Sequence, residues 1–188
     1  MSSITDAVKN TLTSAISGAG DVLSTTQTVA KENVVKAVTG VGMVAQSGIL
    51  AIDEVVDSGL ETVSGAGASV TDGVVGLVRG AIDGAKEVGV GATEAAGEAA
   101  STAIKTASRV GTDVGLVAVS AVQGAIGAAS DIGEDSGELA KSAVLGSIKA
   151  ADEIGTEAGS LVRKTLLNTV ALPHDIIDAL ISGKTETE

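Results

Sequence analysis

Apolar residues recur along this chain with a period of 22 residues, from about residue 12 to residue 170 and without insertion or deletion. One series of aligned positions is Leu12, Val34, Val56, Val78, Ala100, Val122, Val144 and Leu166. A second is Ile16, Val38, Leu60, Ile82, Ile104, Ile126, Ile148 and Val170. A third consists of an apolar residue followed by glycine, at Val88-Gly89, Val110-Gly111, Ile132-Gly133 and Ile154-Gly155.

A period of 22 residues is two elevens, and eleven residues complete three turns of an α-helix at about 3.67 residues per turn. Charged residues fall opposite the apolar series, as on an amphipathic helix, and strand-like alternation is absent from the pattern. We therefore predict an all-α protein of long 11/22-residue-repeat amphipathic helices. Because 160 helical residues would extend roughly 240 Å, we expect them to fold back as hairpins or to assemble as an oligomeric bundle or tube.

The predicted apolar face contains two groups of residues. Its large members are Ile82, Val88, Ile104, Val110, Val122, Ile126, Ile132, Val144, Ile148 and Ile154. Small residues four apart let helix backbones approach closely, and several such pairs recur in phase with the repeat. The predicted helix-packing ridge is Gly76, Gly80, Gly84, Gly89, Gly111, Gly115, Gly133, Gly137, Gly155 and Gly159.

Breaks in the pattern divide the chain into four segments. Residues 1–63 form N-terminal helical repeats, 64–73 a possible hinge, and 74–170 the regular Gly/Ala-rich repeats. Pro173 marks the last segment, 171–188, and would begin its short helix, because proline disfavours helix in the preceding residue and suits a first helical turn. That short helix is either a terminal cap or a docking segment that presents Ile176, Ile177, Leu180 and Ile181.

Composition excludes several classes of function. The sequence has no cysteine and no aromatic residue, and its 24 acidic residues outnumber 12 basic ones. Disulfides, thiolate metal sites and aromatic stacking on bases are therefore impossible, and the net charge of −12 opposes binding to phosphate. No nucleic-acid partner is expected, and the mean hydropathy of +0.40 argues against simple disorder.

Candidate sites for chemistry or for membrane insertion are weak. Asp131, Glu134, Asp135 and Glu138 are spaced to share one helix face, which predicts a solvated surface rather than a cation site. His174 has no catalytic partner nearby in the sequence, and two uncharged runs, 37–52 and 114–130, are short for a membrane span. We predict no enzyme activity, no cofactor and no metal.

Residues 30–92 resemble the 11-residue-repeat proteins of lipid surfaces. The segments 34–41, Val-Val-Lys-Ala-Val-Thr-Gly-Val, and 73–81 look like the repeats of synucleins and perilipins. This resemblance implies a reversible coat on a lipid or polymer droplet, with helix formed on the surface. The net charge departs from those families, which place lysines beside the apolar face.

The chain as a whole, small, aromatic-free and rich in Gly, Ala and Val, is also similar in character to the scaffold subunit that forms the stalk of high-affinity actinobacterial [NiFe] hydrogenases. That resemblance implies a subunit that holds enzyme protomers together, reaches a membrane and shelters quinone. In that case the apolar face of residues 74–162 would line the tube.

These observations favour a non-catalytic helical scaffold that self-associates through its Gly/Ala ridges. It would link a protein complex to a membrane or a lipophilic ligand, and be cytoplasmic and peripheral to a membrane. A reversible lipid-surface coat and a desiccation protectant remain as alternatives.

Overall fold

A computed structural model of the chain describes residues 2–18, 21–41 and 46–169. Within these ranges the chain is helical, with short turns and no strand, which confirms the predicted all-α fold. The helices are α1 Ser2–Gly18, α2 Val22–Val41, α3 Gln46–Gly65, α4 Val70–Glu87, α5 Ala92–Val110, α6 Val114–Ile132, α7 Ser136–Ile154 and α8 Thr156–Thr169.

Each 22-residue period is one helix and one turn. Helices α4, α5, α6 and α7 begin at Val70, Ala92, Val114 and Ser136, which are 22 residues apart. The long helices predicted from the sequence are therefore interrupted once in every period. In the described residues the chain folds back, with a turn after each of α3, α4, α5 and α6 rather than at a few hairpins.

Glycines end the helices because they adopt a left-handed backbone. Gly67, Gly89, Gly111 and Gly133 share one position of the period and have φ values of 67°, 82°, 77° and 71°. A residue with a Cβ is strained in that conformation, so glycine there stops the helix and turns the chain. The 22-residue period that suggested a continuous helix thus also contains the glycine that ends each helix.

After the turns at Gly111 and Gly133, the next helix starts on a side-chain cap two residues later. Asp113 accepts hydrogen bonds from the backbone N–H groups of Gly115 and Leu116, at 2.8 and 3.0 Å. Asp135 caps α7 in the same way, with the N–H groups of Gly137 and Glu138. These carboxylates satisfy amides that a helix start leaves without partners and interact favourably with the helix dipole.

The helices form two layers. Each described helix packs against the next one and against the one after that, so α1, α3, α5 and α7 lie in one layer and α2, α4, α6 and α8 in the other. Consecutive helices are antiparallel, since Gly59 lies against Leu77 and Gly73 against Val63. Helices two apart are parallel. At the usual spacing of 8–10 Å, four helices in a layer extend about 40 Å, not the 240 Å of one straight helix.

The apolar face points between the two layers. Ile82, Ile104, Val122, Val144 and Ile148 are buried there, in one continuous core with the other layer. Val88, Val110 and Ile132, at helix ends, are half-buried, as is Ile126 within α6. Ile154 is 40% exposed, so its assignment to the buried face is wrong. One chain therefore covers most of its own apolar stripe.

The predicted hinge at 64–73 contains the end of α3, a four-residue turn and the start of α4. The turn between α4 and α5 also has four residues, and Gly67 takes the same conformation as Gly89. The segment is thus one turn of the repeat. Val170 and the last segment, 171–188 with its Pro173, His174 and the four apolar residues of the predicted docking helix, lie outside the described residues.

Candidate functional site

The predicted glycine ridge divides into two groups with different roles. Gly76, Gly80 and Gly84 of α4 lie directly on the backbone of α2, where a Cβ at Gly80 would overlap the carbonyl oxygen of Gln27. A Cβ at Gly84 would lie 2.9 Å from the carbonyl oxygen of Lys31. These three glycines do pack helix on helix, and their partner is in the same chain.

The other group is not a ridge. Four of its members follow helix ends, have positive φ and would have no atom within 4 Å of an added Cβ: Gly89, Gly111, Gly133 and Gly155. The prediction that these four glycines pack against another helix is therefore wrong. Gly137 meets only its own capping residue, Asp135. Gly115 faces Thr165 of α8, and Gly159 faces Asp152 of α7.

The prediction also missed several close-packing glycines, among them Gly97, Gly124 and Gly146. A Cβ at Gly146 would overlap Gly97 across the α5–α7 contact, and one at Gly124 would lie 2.8 Å from the carbonyl oxygen of Val75. Gly80, Gly124 and Gly146 occupy one position of the 22-residue period. Gly124 and Gly146 could have been identified from the sequence because they lie two and three periods of 22 residues after Gly80, although they belong to no pair of glycines four apart.

The charged residues link helices two apart along each layer. The Arg79 guanidinium binds both carboxylate oxygens of Asp131, 52 residues later, at 2.5 and 2.6 Å. Lys105 pairs with Glu153 at 3.1 Å in the other layer, and Lys86 pairs with Glu134. The surface predicted to be solvated thus also holds parallel helices in register.

The predicted acidic helix face does not exist. Asp131 belongs to α6, Asp135 caps α7, and the turn at Gly133 separates them. Asp131 and Glu134 each pair with a cation of α4. In the described part of the chain, no group of three or more acidic or histidine side chains is placed to hold a metal ion.

A different set of acids lines a cleft between α3 and α5, which we call the acidic cleft. Its volume is about 460 Å³, and its lining is Asp53, Glu54, Asp57, Glu98, Thr102, Lys105, Thr106 and Arg109. Thr102 and Thr106 donate hydrogen bonds to Asp53 and Asp57, and Arg109 binds both Asp57 and Glu61. One carboxylate oxygen of Glu54 is buried with no hydrogen-bond partner.

The acids of this contact differ in the direction of their pKa shifts. Burial raises the pKa of Glu98, and the negative charge of Asp53 raises it further. Hydrogen bonds from Arg109 and Lys9 lower the pKa of Glu61 instead. The pKa of Glu98 is therefore higher than that of an ordinary glutamate, whereas the pKa of Glu61 is lower.

In the other layer, one amide joins three helices. Gln27 Nε2 of α2 donates to Asp83 of α4 at 3.2 Å and to Asp131 of α6 at 3.3 Å. Asp83 is only 7% exposed, and its second carboxylate oxygen has no hydrogen-bond partner. Burial is the main reason that its pKa is raised.

Large apolar side chains are exposed at five described positions. Leu116 of α6 is 58% exposed and Leu161 of α8 44%, on two helices that pack together. Leu116 also borders a small, mostly apolar cleft of about 250 Å³ between the starts of α4 and α6. The remaining three are Leu50, Ile154 and Leu167.

One described helix, α6, is long and apolar enough to cross a membrane, with a mean hydropathy of 1.4. Within the fold, 61% of its most apolar window is buried against other helices. Core helices of soluble proteins share these properties, so length and hydropathy alone do not identify a membrane span. It contains the second uncharged run of the sequence.

No family model, curated protein or solved structure matches this chain. Its function has therefore to be inferred from the placement of its own side chains.

Proposed function

We propose that this chain is a non-catalytic helical scaffold. The proposal is supported mainly by the charged residues, which form ion pairs with distant parts of the same chain. Arg79, Lys86, Lys105 and Arg109 are each bound to an acid 48 or 52 residues away. Side chains used in this way determine the register of parallel helices and the shape of the stack.

We assign the partner from the resemblance to another protein family and from the apolar side chains that are exposed on the surface. The resemblance to hydrogenase stalk subunits supplies the hypothesis of a membrane-linked complex with a lipophilic substrate. Leu116 and Leu161, exposed on neighbouring helices, are the described surface that we assign to contact with a copy or with such a complex. The predicted docking residues Ile176, Ile177, Leu180 and Ile181 follow α8 in the sequence.

The glycine ridge of α4 is not the surface through which copies of the chain would associate. Gly76, Gly80 and Gly84 are already covered by α2, and leaving that contact would uncover the core. Alanine and valine side chains fill the space between the layers, so a sheltered path for a lipophilic molecule would form between stacks rather than within one.

Circular dichroism and sedimentation velocity test the proposal. A scaffold is strongly helical in lipid-free buffer and keeps that helix content when neutral phosphatidylcholine vesicles are added. A surface coat, the alternative, is disordered in buffer and gains helix with vesicles. Disorder in buffer would overturn the scaffold proposal.

A matched pair of variants tests the contact surface. Replacing Leu116 and Leu161 together by serine is expected to reduce concentration-dependent association in sedimentation. Leu50→Ser is the control, because Leu50 is 55% exposed but lies on α3 in the other layer. Equal effects of both changes, or a wild-type chain that stays monomeric at all concentrations, would remove self-association from the proposal.

A further inference from the structure

The edge of the two-layer stack at α7 has no described helix beyond it. The side of α5 that contacts α7 includes Gly97, which lies against Ser142, and Lys105, which pairs with Glu153. Helix α7 begins two periods after α5, so its own corresponding side faces away from α5. The described helices that pack substantially against α7 are α5 itself and α6 and α8 of the other layer.

This outer side of α7, which we call the basic edge, consists of two lysines and an apolar residue between them. Lys141 and Lys149 occupy the positions of Gly97 and Lys105 two periods earlier, and Leu145 lies one helical turn from each. Both lysines are exposed, and Leu145 is half-buried. Because a lysine replaces the close-packing glycine, a helix that covers this edge must contact side chains rather than backbone.

The order of the helices places the next segment of the chain at this edge. Successive helices alternate between the two layers, and α8 belongs to the layer opposite α7. A helix that follows α8 would therefore lie beside α7. Three residues separate Thr169, where α8 ends, from Pro173, and the turn between α6 and α7 also has three residues. Proline suits the first turn of a helix, so a helix can begin there.

The chemistry of that segment complements the basic edge. Four apolar residues of 173–182 are spaced to share one helix face: Ile176, Ile177, Leu180 and Ile181. Residues 171–188 contain four acids and one lysine. Within the layer, Lys105 of α5 already pairs at 3.1 Å with an acid two helices later, and Lys149 repeats Lys105. An acidic, amphipathic helix thus suits an edge of lysines around a leucine.

We propose that residues 173–182 form the last helix of the stack and cover the basic edge of α7. The apolar face of this helix packs on Leu145 and the adjoining core, and acids of the segment pair with Lys141 and Lys149. Ten helical residues extend roughly 15 Å, about half the length of α7. Terminal units with a polar outer face are what a stacked repeat needs at its ends.

The proposal goes beyond the scaffold function and does not depend on it. It assigns the apolar residues of 173–182 to a contact within one chain, whereas the surface assigned to a copy or a complex is Leu116 and Leu161. A chain without this terminal helix could still be a scaffold, and a monomeric chain could still have the helix.

Disulfide cross-linking tests the contact without interference, because the chain has no cysteine. Leu145→Cys is combined in turn with one of Ile176→Cys, Ile177→Cys, Leu180→Cys and Ile181→Cys, and each full-length protein is oxidised at low concentration. We expect at least one pair to form a disulfide within the monomer, since a disulfide needs Cα atoms within about 7 Å of each other. Non-reducing electrophoresis and intact mass separate this product from a disulfide-linked dimer.

Leu50→Cys with the same four partners is the matched control, because Leu50 is 55% exposed but lies on α3, with α5 between it and α7. Circular dichroism of the reduced proteins checks that each variant keeps its helix content. Internal cross-links that form equally fast from Leu50 and Leu145, or no cross-link from Leu145, would overturn the proposal. Disulfide-linked dimers alone would show that a second copy covers the edge, which also overturns it.

The charges provide a second test that leaves the apolar contact in place. Lys149→Glu is expected to slow the internal cross-link by roughly two- to fivefold, because it reverses a charge that faces the acidic segment. Lys36→Glu, at an exposed lysine of α2, makes the same change far from the edge and is expected to leave the rate unchanged. Equal rates in the two variants would mean that the basic edge does not attract the segment, and the proposal fails.

Discussion

Two contacts between parallel helices, one in each layer of this molecule, are held together in different ways. In the α2–α4 contact, Gly76, Gly80 and Gly84 let two backbones touch. In the α3–α5 contact, Asp53 and Asp57 meet threonine hydroxyls and the Arg109 guanidinium. The first contact depends on the absence of side chains and the second on their presence, although both repeat the same helix arrangement.

This difference shows that helices related by the same repeat period can pack through different kinds of contact. Backbone contact is sensitive to any added atom, because a close-packed contact has no space for one. Side-chain contact at the surface is sensitive to charge and to pH instead. The predictions below separate the two sensitivities, from the largest expected effect to the smallest.

Gly80→Leu is expected to have the largest effect. Even a Cβ would overlap the carbonyl oxygen of Gln27, so α2 and α4 must separate and the core between them must repack. We expect a loss of about 3 kcal/mol or more in the free energy of unfolding, measured by urea denaturation. A loss below about 1 kcal/mol would show that the two backbones are not in contact.

Gly111 distinguishes a turn glycine from a packing glycine. Its φ is 77°, and no atom lies within 4 Å of a built Cβ, so the cost of substitution is in the backbone. We expect Gly111→Ala to lose about 1–2 kcal/mol in urea denaturation and Gly111→Asn to lose less, because asparagine tolerates the left-handed region.

The order reverses at Gly80, where the larger asparagine should cost more than alanine. The same order at both positions would mean that the two classes of glycine are not distinct. This comparison uses no assumption about partners or lipid.

The Arg79–Asp131 pair is expected to contribute about 1 kcal/mol, since it is bidentate but partly exposed. A double-mutant cycle with Arg79→Leu and Asp131→Asn measures the coupling by urea denaturation. The hydrogen bond from Arg79 lowers the pKa of Asp131, so this contribution is present above the ordinary pKa of aspartate and disappears as the pH falls through the lowered value. A coupling that grows in acid would contradict the assignment.

Gly40→Ala should have the smallest effect, and the opposite sign. Gly40 lies in α2, is exposed, and has no atom within 4 Å of a built Cβ. Alanine there is expected to raise the free energy of unfolding by about 0.5 kcal/mol, measured by the same denaturation. A destabilised Gly40→Ala chain would indicate that this face of α2 is covered in solution.

Much of the fold could be predicted from the sequence, because helix period and apolar face are local properties. The series of Ile82, Ile104 and Ile148 correctly predicted buried positions. The role of Gly89 and Gly111 was missed, because a glycine every 22 residues suits either a packing surface or a helix end. The acidic cleft was missed since Asp53 and Glu98 are 45 residues apart and come together only when α3 and α5 stack.

By itself, the sequence determined the helical class, the length of the repeat, the apolar positions and the acidic balance, all of which depend on residues within one or two turns. Only the tertiary structure decided that the chain turns back after each of α3, α4, α5 and α6, that α2 covers the α4 glycines, and that Glu98 and Asp53 line one cleft. The physical reason is that these outcomes depend on contacts between segments roughly 45–55 residues apart, where a carbonyl oxygen or a carboxylate from another helix sets the available space and charge.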